Sequence, residues 1–294
     1  MKRFLLYCFL LSLCVVALAA ANDVANLWLI RASSGNPAYK MERLWRGYER
    51  DEIPILGSSR AQSNFVPSEI SPHCFNYGCD GMCLEEVVFL LNQIAKRDSC
   101  LPVIVNLDPL GFDGFAKLNF VGDYRLVPES GRIEISESLP GLRFHGALRK
   151  SLTSWLNVRK AVTKVIDNGA VLLKNSRTDE EWRVMNLNLT SWSFVRNSSG
   201  EALFETALSA LSPRKAIVVV GPCCSRFMEL YPSGLELEKY LNHLKTLDNV
   251  IVINFFRSPH FTDQDFADPT HLNIEGARKF TRMFVDSASQ VMKW

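Results

Sequence analysis

The chain has 294 residues, 47% hydrophobic and 22% charged, enough to bury one large core or two small ones. Its formal net charge is +2, and no basic stripe is interleaved with aromatics, so a nucleic-acid partner is set aside.

Lys2-Arg3 precedes an apolar run from Phe4 to Ala21, with no charge before Asp23 and small residues crowded over residues 17–21. Roughly 18 apolar residues just span hydrocarbon, so residues 1–21 read as either a secretory signal with an Ala-x-Ala site or an uncleaved membrane anchor. Basic residues on the short side keep that side cytoplasmic, so in both cases the remainder is exported, tethered in the cell envelope or periplasm if anchored and secreted if cleaved. Cys8 and Cys14 lie in this segment, leaving Cys74, Cys79, Cys83, Cys100, Cys223 and Cys224. An even number in an exported domain suggests disulfides, with Cys74 and Cys100 the first pair expected and buried free thiols the alternative. No Cys/His spacing resembles a zinc site, and no metal or cofactor is expected.

Within residues 22–50, Met41, Leu44, Trp45 and Tyr48 recur at helical spacing with charges between them, an amphipathic stem helix. Ile53-Pro54-Ile55-Leu56 is then too short an apolar run for a helix and ends at Gly57-Ser58-Ser59-Arg60, a strand breaking into a loop and a helix. Such a corner either lifts a serine above a sheet, with backbone N–H groups favouring an anionic oxygen, or is a polar turn with a helix-capping serine. A strand at Cys74 to Tyr77, a helix from Leu84 to Ala95 and a strand from Val103 to Leu107 follow. This alternation predicts an α/β fold, a parallel sheet covered on both faces, with Ser59, Gly78 and Asp108 gathered at the carboxyl ends of its strands.

Residues 110–210 break the rhythm and read as a lid or insertion within a domain of residues 51–294. Ile133 and Ile135 suggest a small hairpin, and Trp155, Val158, Val162, Val165 and Ile166 a helix stopped at Asn168-Gly169. Alternation resumes with a helix from Gly200 to Leu211, a strand from Ala216 to Val220, a helix from Leu235 to Leu247 and a strand from Val250 to Phe255. A last helix follows Asn273 as N-cap, with Ile274, Ala277, Phe280 and Phe284 on its inner stripe.

Just before that helix, Asp268-Pro269-Thr270-His271 places a carboxylate and an imidazole three residues apart on one loop. Serine chemistry needs an imidazole to take the hydroxyl proton and a carboxylate to fix its tautomer, so Ser59, His271 and Asp268 are the expected catalytic residues. His260 and His73 have weaker claims, lacking a carboxylate at fixed short range.

The Gly57-Ser58-Ser59 and Asp268-Pro269-Thr270-His271 blocks, in this order, resemble the first and last blocks of the SGNH/GDSL hydrolase superfamily over roughly residues 50–294. The pattern is most like the membrane-anchored branch that includes the D-alanyl-lipoteichoic acid transfer protein and the alginate O-acetylation proteins. The resemblance implies a three-layer α/β/α sandwich of flavodoxin-like kind, with Gly78 as the second-block oxyanion donor. The third-block Asn is not plainly present. Its position falls on Asp108, which cannot donate unless protonated, with Asn106 a substitute. Ser58 stands where many members carry Asp, and Ser58 and Arg60 complete the expected substrate-facing set.

The activity implied is an exported esterase or O-acyltransferase working through an acyl group on Ser59. Its substrate would be an acylated envelope glycan or small acyl ester, and its partner a membrane-bound O-acyltransferase. A different class fits the same residues: a catalytically inactive envelope protein that binds glycan or scaffolds an acylation complex.

Overall fold

A computed structural model describes residues 2–46, 51–112, 164–174, 193–231 and 234–289. They fall into two compact units, one holding residues 2–46 and the other the rest.

In the first unit, helix α1 (Lys2–Arg31) contains a stretch, Lys2–Asn22, long and apolar enough to cross a membrane, and none of it is buried. Helix α2 (Pro37–Arg46) holds Met41 and Leu44 of the amphipathic stripe, both buried. The Trp45 side chain and Tyr48 lie outside the described residues.

The second unit is an α/β sandwich around a five-stranded sheet. Its strands are β1 (Ile53–Leu56), β2 (Cys74–Asn76), β3 (Val103–Asn106), β6 (Ala216–Val220) and β7 (Val250–Asn254). They lie in the order β2-β1-β3-β6-β7, every pair parallel. Strands β1, β3 and β6 are buried along their whole length, which is why each reads as a continuous apolar run rather than an alternating one. Each fully buried Val, Ile or Leu there contributes about 1.5–3 kcal/mol relative to exposure.

Parallel strands need crossover helices, and right-handed crossovers fix their faces. One layer holds α3 (Ser59–Asn64), α4 (Pro67–Ile70) and the last helix α9 (Ile274–Ser289), joined where Phe65 meets Phe280 and Phe284 edge-on. The other holds α5 (Leu84–Ile94), α6 (Ser198–Ser209) and α8 (Leu235–Leu244), where Phe112, Phe204 and Tyr240 cluster. The expected stripe of α5, Val87, Val88, Leu91 and Ile94, is buried, as are Ala277, Phe280 and Phe284 of α9. Asn273 caps α9, its side chain accepting from the Gly276 N–H at 2.9 Å.

Two expectations are corrected. Val165 and Ile166 are not helical: β4 (Lys164–Asp167) pairs antiparallel with β5 (Ala170–Leu173) through a two-residue turn. Asn168 and Gly169 take φ of 39° and 85°, so the pair expected to stop a helix makes the left-handed turn of a hairpin instead. The tip docks on the sheet edge, where the Asn76 N–H donates to the Asn168 carbonyl at 2.8 Å. The remainder of that expected helix, Trp155 to Val162, and the hairpin around Ile133 and Ile135 lie outside the described residues. Second, all eight cysteines are free thiols, Cys74 buried and Cys100 exposed, so the expected pair is not formed. A short helix not expected from the sequence, α7 (Ser225–Leu230), follows the loop after β6. Its six residues are too few to show a period in the sequence.

Candidate active site

Strand order reverses between β1 and β3, and in open parallel sheets the crevice at such a point, beyond the carboxyl ends of the strands, is where ligands bind. A cavity of about 370 Å³ opens there. Its polar wall is Ser58, Ser59, Arg60, Asn106, Asp108 and Thr270, and Met82, Leu84, Val87 and Leu110 form an apolar side.

The chain turns from β1 into α3 at Gly57, whose φ of 141° only glycine adopts readily. Ser58 is extended and caps α3, its Oγ accepting from the Arg60 N–H at 3.4 Å. This puts Ser59 at the first helical position, where its own N–H has no partner within the helix. Opposite, β8 (Phe266–Asp268) and β9 (His271–Leu272) form a small antiparallel ladder, so Asp268 and His271 pair across a tight turn rather than standing on an open loop.

The two ends of the sequence meet here. His271 Nε2 lies 2.8 Å from Ser59 Oγ, and His271 Nδ1 lies 2.9 Å from each carboxylate oxygen of Asp268. With Nδ1–H given to the carboxylate, Nε2 is left as the acceptor for the serine proton. Asp268 Oδ1 also accepts from the N–H groups of Thr270 and His271 and from the Thr270 hydroxyl, at 2.9, 3.0 and 3.0 Å. Burial alone would raise the Asp268 carboxyl. The His271 hydrogen bond and charge, with the Thr270 donors, outweigh it and hold the pKa at about 2. Thr270 went unnoticed in the sequence, although Asp-x-Thr, with both N–H and hydroxyl two residues after the carboxylate, is a legible Asx-turn signal.

Asp268 therefore adds stability above the ordinary carboxyl pKa of 3.8, and that stability fades as the pH falls toward the folded value of about 2. Asp268→Asn is expected to unfold with about 2 kcal/mol less stability at pH 6 and to lose the dependence on pH between about 4 and 2. Denaturant unfolding at pH 6 and across the range from about pH 4 to 2 checks this.

The remaining expected residues are placed unequally. Asp108 accepts from the Arg60 guanidinium, the Ser58 hydroxyl at 3.2 Å and the Leu110 N–H at 3.0 Å, so it is an acceptor hub and not an oxyanion donor. Arg60 touches the cavity wall but is almost wholly buried, and its guanidinium is paired with Asp108. Gly78 is not in the cavity wall, and its N–H is donated to Asn76 Oδ1 at 2.9 Å, which corrects its expected place as an oxyanion donor. Asn106 is in the wall, and both polar atoms of its amide are buried with no hydrogen-bond partner. His73 and His260 are exposed. Among the described residues, no group of three or more His, Cys, Asp or Glu side chains could hold a metal.

No family model matches the chain, and no curated protein matches it. Among solved structures, it is similar to one described as "a putative platelet activating factor from Streptococcus pneumonia", at 11% identity and a TM-score of 0.43, over 91% of this chain and 97% of that one.

Proposed function

We propose that this protein is an exported serine esterase or O-acyltransferase acting on acyl esters of cell-envelope glycans. The observation that carries the reading is the 2.8 Å contact between Ser59 Oγ and His271 Nε2, with Asp268 behind the ring. Ser59 Oγ attacks the ester carbonyl while its proton passes to His271 Nε2. The tetrahedral intermediate then expels the alcohol, which takes that proton from His271 and leaves an acyl group on Ser59. Water, or a hydroxyl of a glycan, attacks the acyl-serine by the same route in reverse. The Ser59 N–H, without a partner inside α3, serves the developing oxyanion, and Asn106, in the cavity wall with its amide unpaired, is available to assist it.

The envelope-glycan substrate is supported by the apolar N-terminal helix, which fits work at a membrane surface, and by the sequence resemblance, which also suggests a membrane-bound O-acyltransferase as the acyl source. Incubating the full-length protein in detergent with p-nitrophenyl acetate and an oligosaccharide tests this directly. An acetylated sugar detected by mass, beyond that formed by Ser59→Ala, supports transfer. Acetate alone leaves an esterase, and no Ser59-dependent product rejects both.

One observation favours a second reading, a glycan-binding or scaffolding protein without turnover. Of the oxyanion groups considered in the sequence, Gly78 has given its N–H to Asn76, and Asp108, at the third-block position, only accepts. Absence of Ser59-dependent product, together with retained binding of the oligosaccharide, is what that reading expects.

A further inference from the structure

We propose that Arg60 is a positioning residue: its buried guanidinium ties the Asp108 carboxylate to the Thr270 carbonyl and so holds the Asp268–His271 turn over Ser59. Its catalytic consequence rests on the serine-hydrolase reading above.

Arg60 follows Ser59 on α3, and only 4% of it is exposed. One guanidinium nitrogen, Nη1, pairs with Asp108 Oδ1 at the end of β3, 48 residues on. Another, Nε, donates to the Thr270 carbonyl at 3.3 Å, 210 residues on. The group lies 5.2 Å from the ring centroid of Phe227 on α7. One side chain therefore connects the nucleophile corner, the third strand, a flanking helix and the acid–base turn.

That turn needs outside ties. Its ladder is three residues against two, with a register shift between Phe266 and Asp268. Neighbours grip three of its groups in succession: the Cys224 thiol donates to the Pro269 carbonyl at 3.2 Å, Arg60 to the Thr270 carbonyl, and the Leu272 N–H is taken by Asn64 Oδ1 at 3.0 Å. The grip of Arg60 falls on the residue whose N–H and hydroxyl hold Asp268 and which precedes His271. Removing it frees the Thr270 carbonyl and leaves Asp108 without its cation. A buried cation is retained only where it is paired, and Asp108 supplies that pairing. Charge alone does not explain the residue type. A lysine offers one compact ammonium at the end of its stem, whereas the planar fork sends donors in two directions at once.

The test uses full-length Arg60→Lys and Arg60→Ala, with kcat and KM for p-nitrophenyl acetate, circular dichroism, and the low-field imidazole N–H proton of His271, identified by its loss in His271→Gln. In the folded variants, kcat is expected to fall about 10²-fold, the scale of a misplaced catalytic pair, with KM changed by less than about threefold. The His271 proton is expected to broaden or vanish in both, and methylguanidinium to restore turnover in Arg60→Ala but not in Arg60→Lys. The proposal is overturned if Arg60→Lys keeps kcat within about threefold, or if KM rises while kcat stands, which marks a substrate-binding residue. If Arg60→Ala does not fold, Arg60→Lys decides; if neither folds, Arg60 is a determinant of the fold and the proposal falls. Should the unaltered protein show no Ser59-dependent turnover, it is the hydrolase reading that fails. The His271 proton then judges Arg60 by itself, and an unchanged resonance in Arg60→Lys overturns the proposal.

Discussion

Ser59→Ala is expected to lower turnover of p-nitrophenyl acetate by about 10⁴-fold or more, and His271→Ala by a similar factor, because the two side chains act as one unit. Neither change should unfold the protein: Ser59 is half-buried and opens α3 without capping it, and His271 is half-buried in a two-residue strand. Ser58→Ala is the matched comparison. Ser58 caps α3 and donates to Asp108, but it is Ser59 that meets the imidazole. Its loss should cost about 1 kcal/mol of stability, as for other N-caps, with turnover within about tenfold of the parent. Steady-state kinetics on the three variants checks the set, and a Ser58→Ala protein that is dead while Ser59→Ala works would place the nucleophile one residue earlier.

Gly57→Ala is expected to be nearly as severe, through the backbone. At φ of 141° an alanine is strained whatever the space, and there is no space: its Cβ would lie 2.8 Å from the Asn106 carbonyl oxygen and 2.9 Å from Ala61 Cβ. Strain and overpacking together predict a loss of about 3 kcal/mol or more. Because the same residue sets where Ser59 stands above the sheet, turnover per folded molecule should fall about 10²-fold as well, the cost of moving a catalytic group by about an ångström. Thermal unfolding and active-site titration separate the two effects. Gly57→Ala with wild-type stability would mean that the corner relaxes freely.

The parallel sheet was legible because strands buried on both faces have to be continuous short apolar runs, and three of them, β1, β3 and β6, alternate with helical stripes. The meeting of Ser59 with His271 was legible for a different reason: Ser59 follows the end of β1, and the serine and the Asp-x-x-His block stand in the order that serine chemistry needs to be complete. What escaped were features whose local signal serves two structures. Asn168-Gly169 marks a left-handed turn in a helix stop and in a hairpin alike, and only the β-branched Val165 and Ile166 beside it argued for the strand that formed. An even cysteine number did not translate into bonds: all eight are free thiols, and burial pushes those of Cys223 and Cys224 up to about 12 and about 11. The role of Arg60 was out of reach of any window along the chain, because its partners lie 48 and 210 residues away. Gly78 sits at the end of its strand as expected, yet the Asn76 side chain two residues earlier has taken its N–H, a competition that strand position alone does not reveal.

The most direct measurement is covalent labelling of the full-length protein with a fluorophosphonate, which reacts with a serine only when a neighbouring base has activated it. The account predicts one adduct, mapped by peptide mass to Ser59 and lost in His271→Ala. An unlabelled protein, or a label on any other residue, would contradict it.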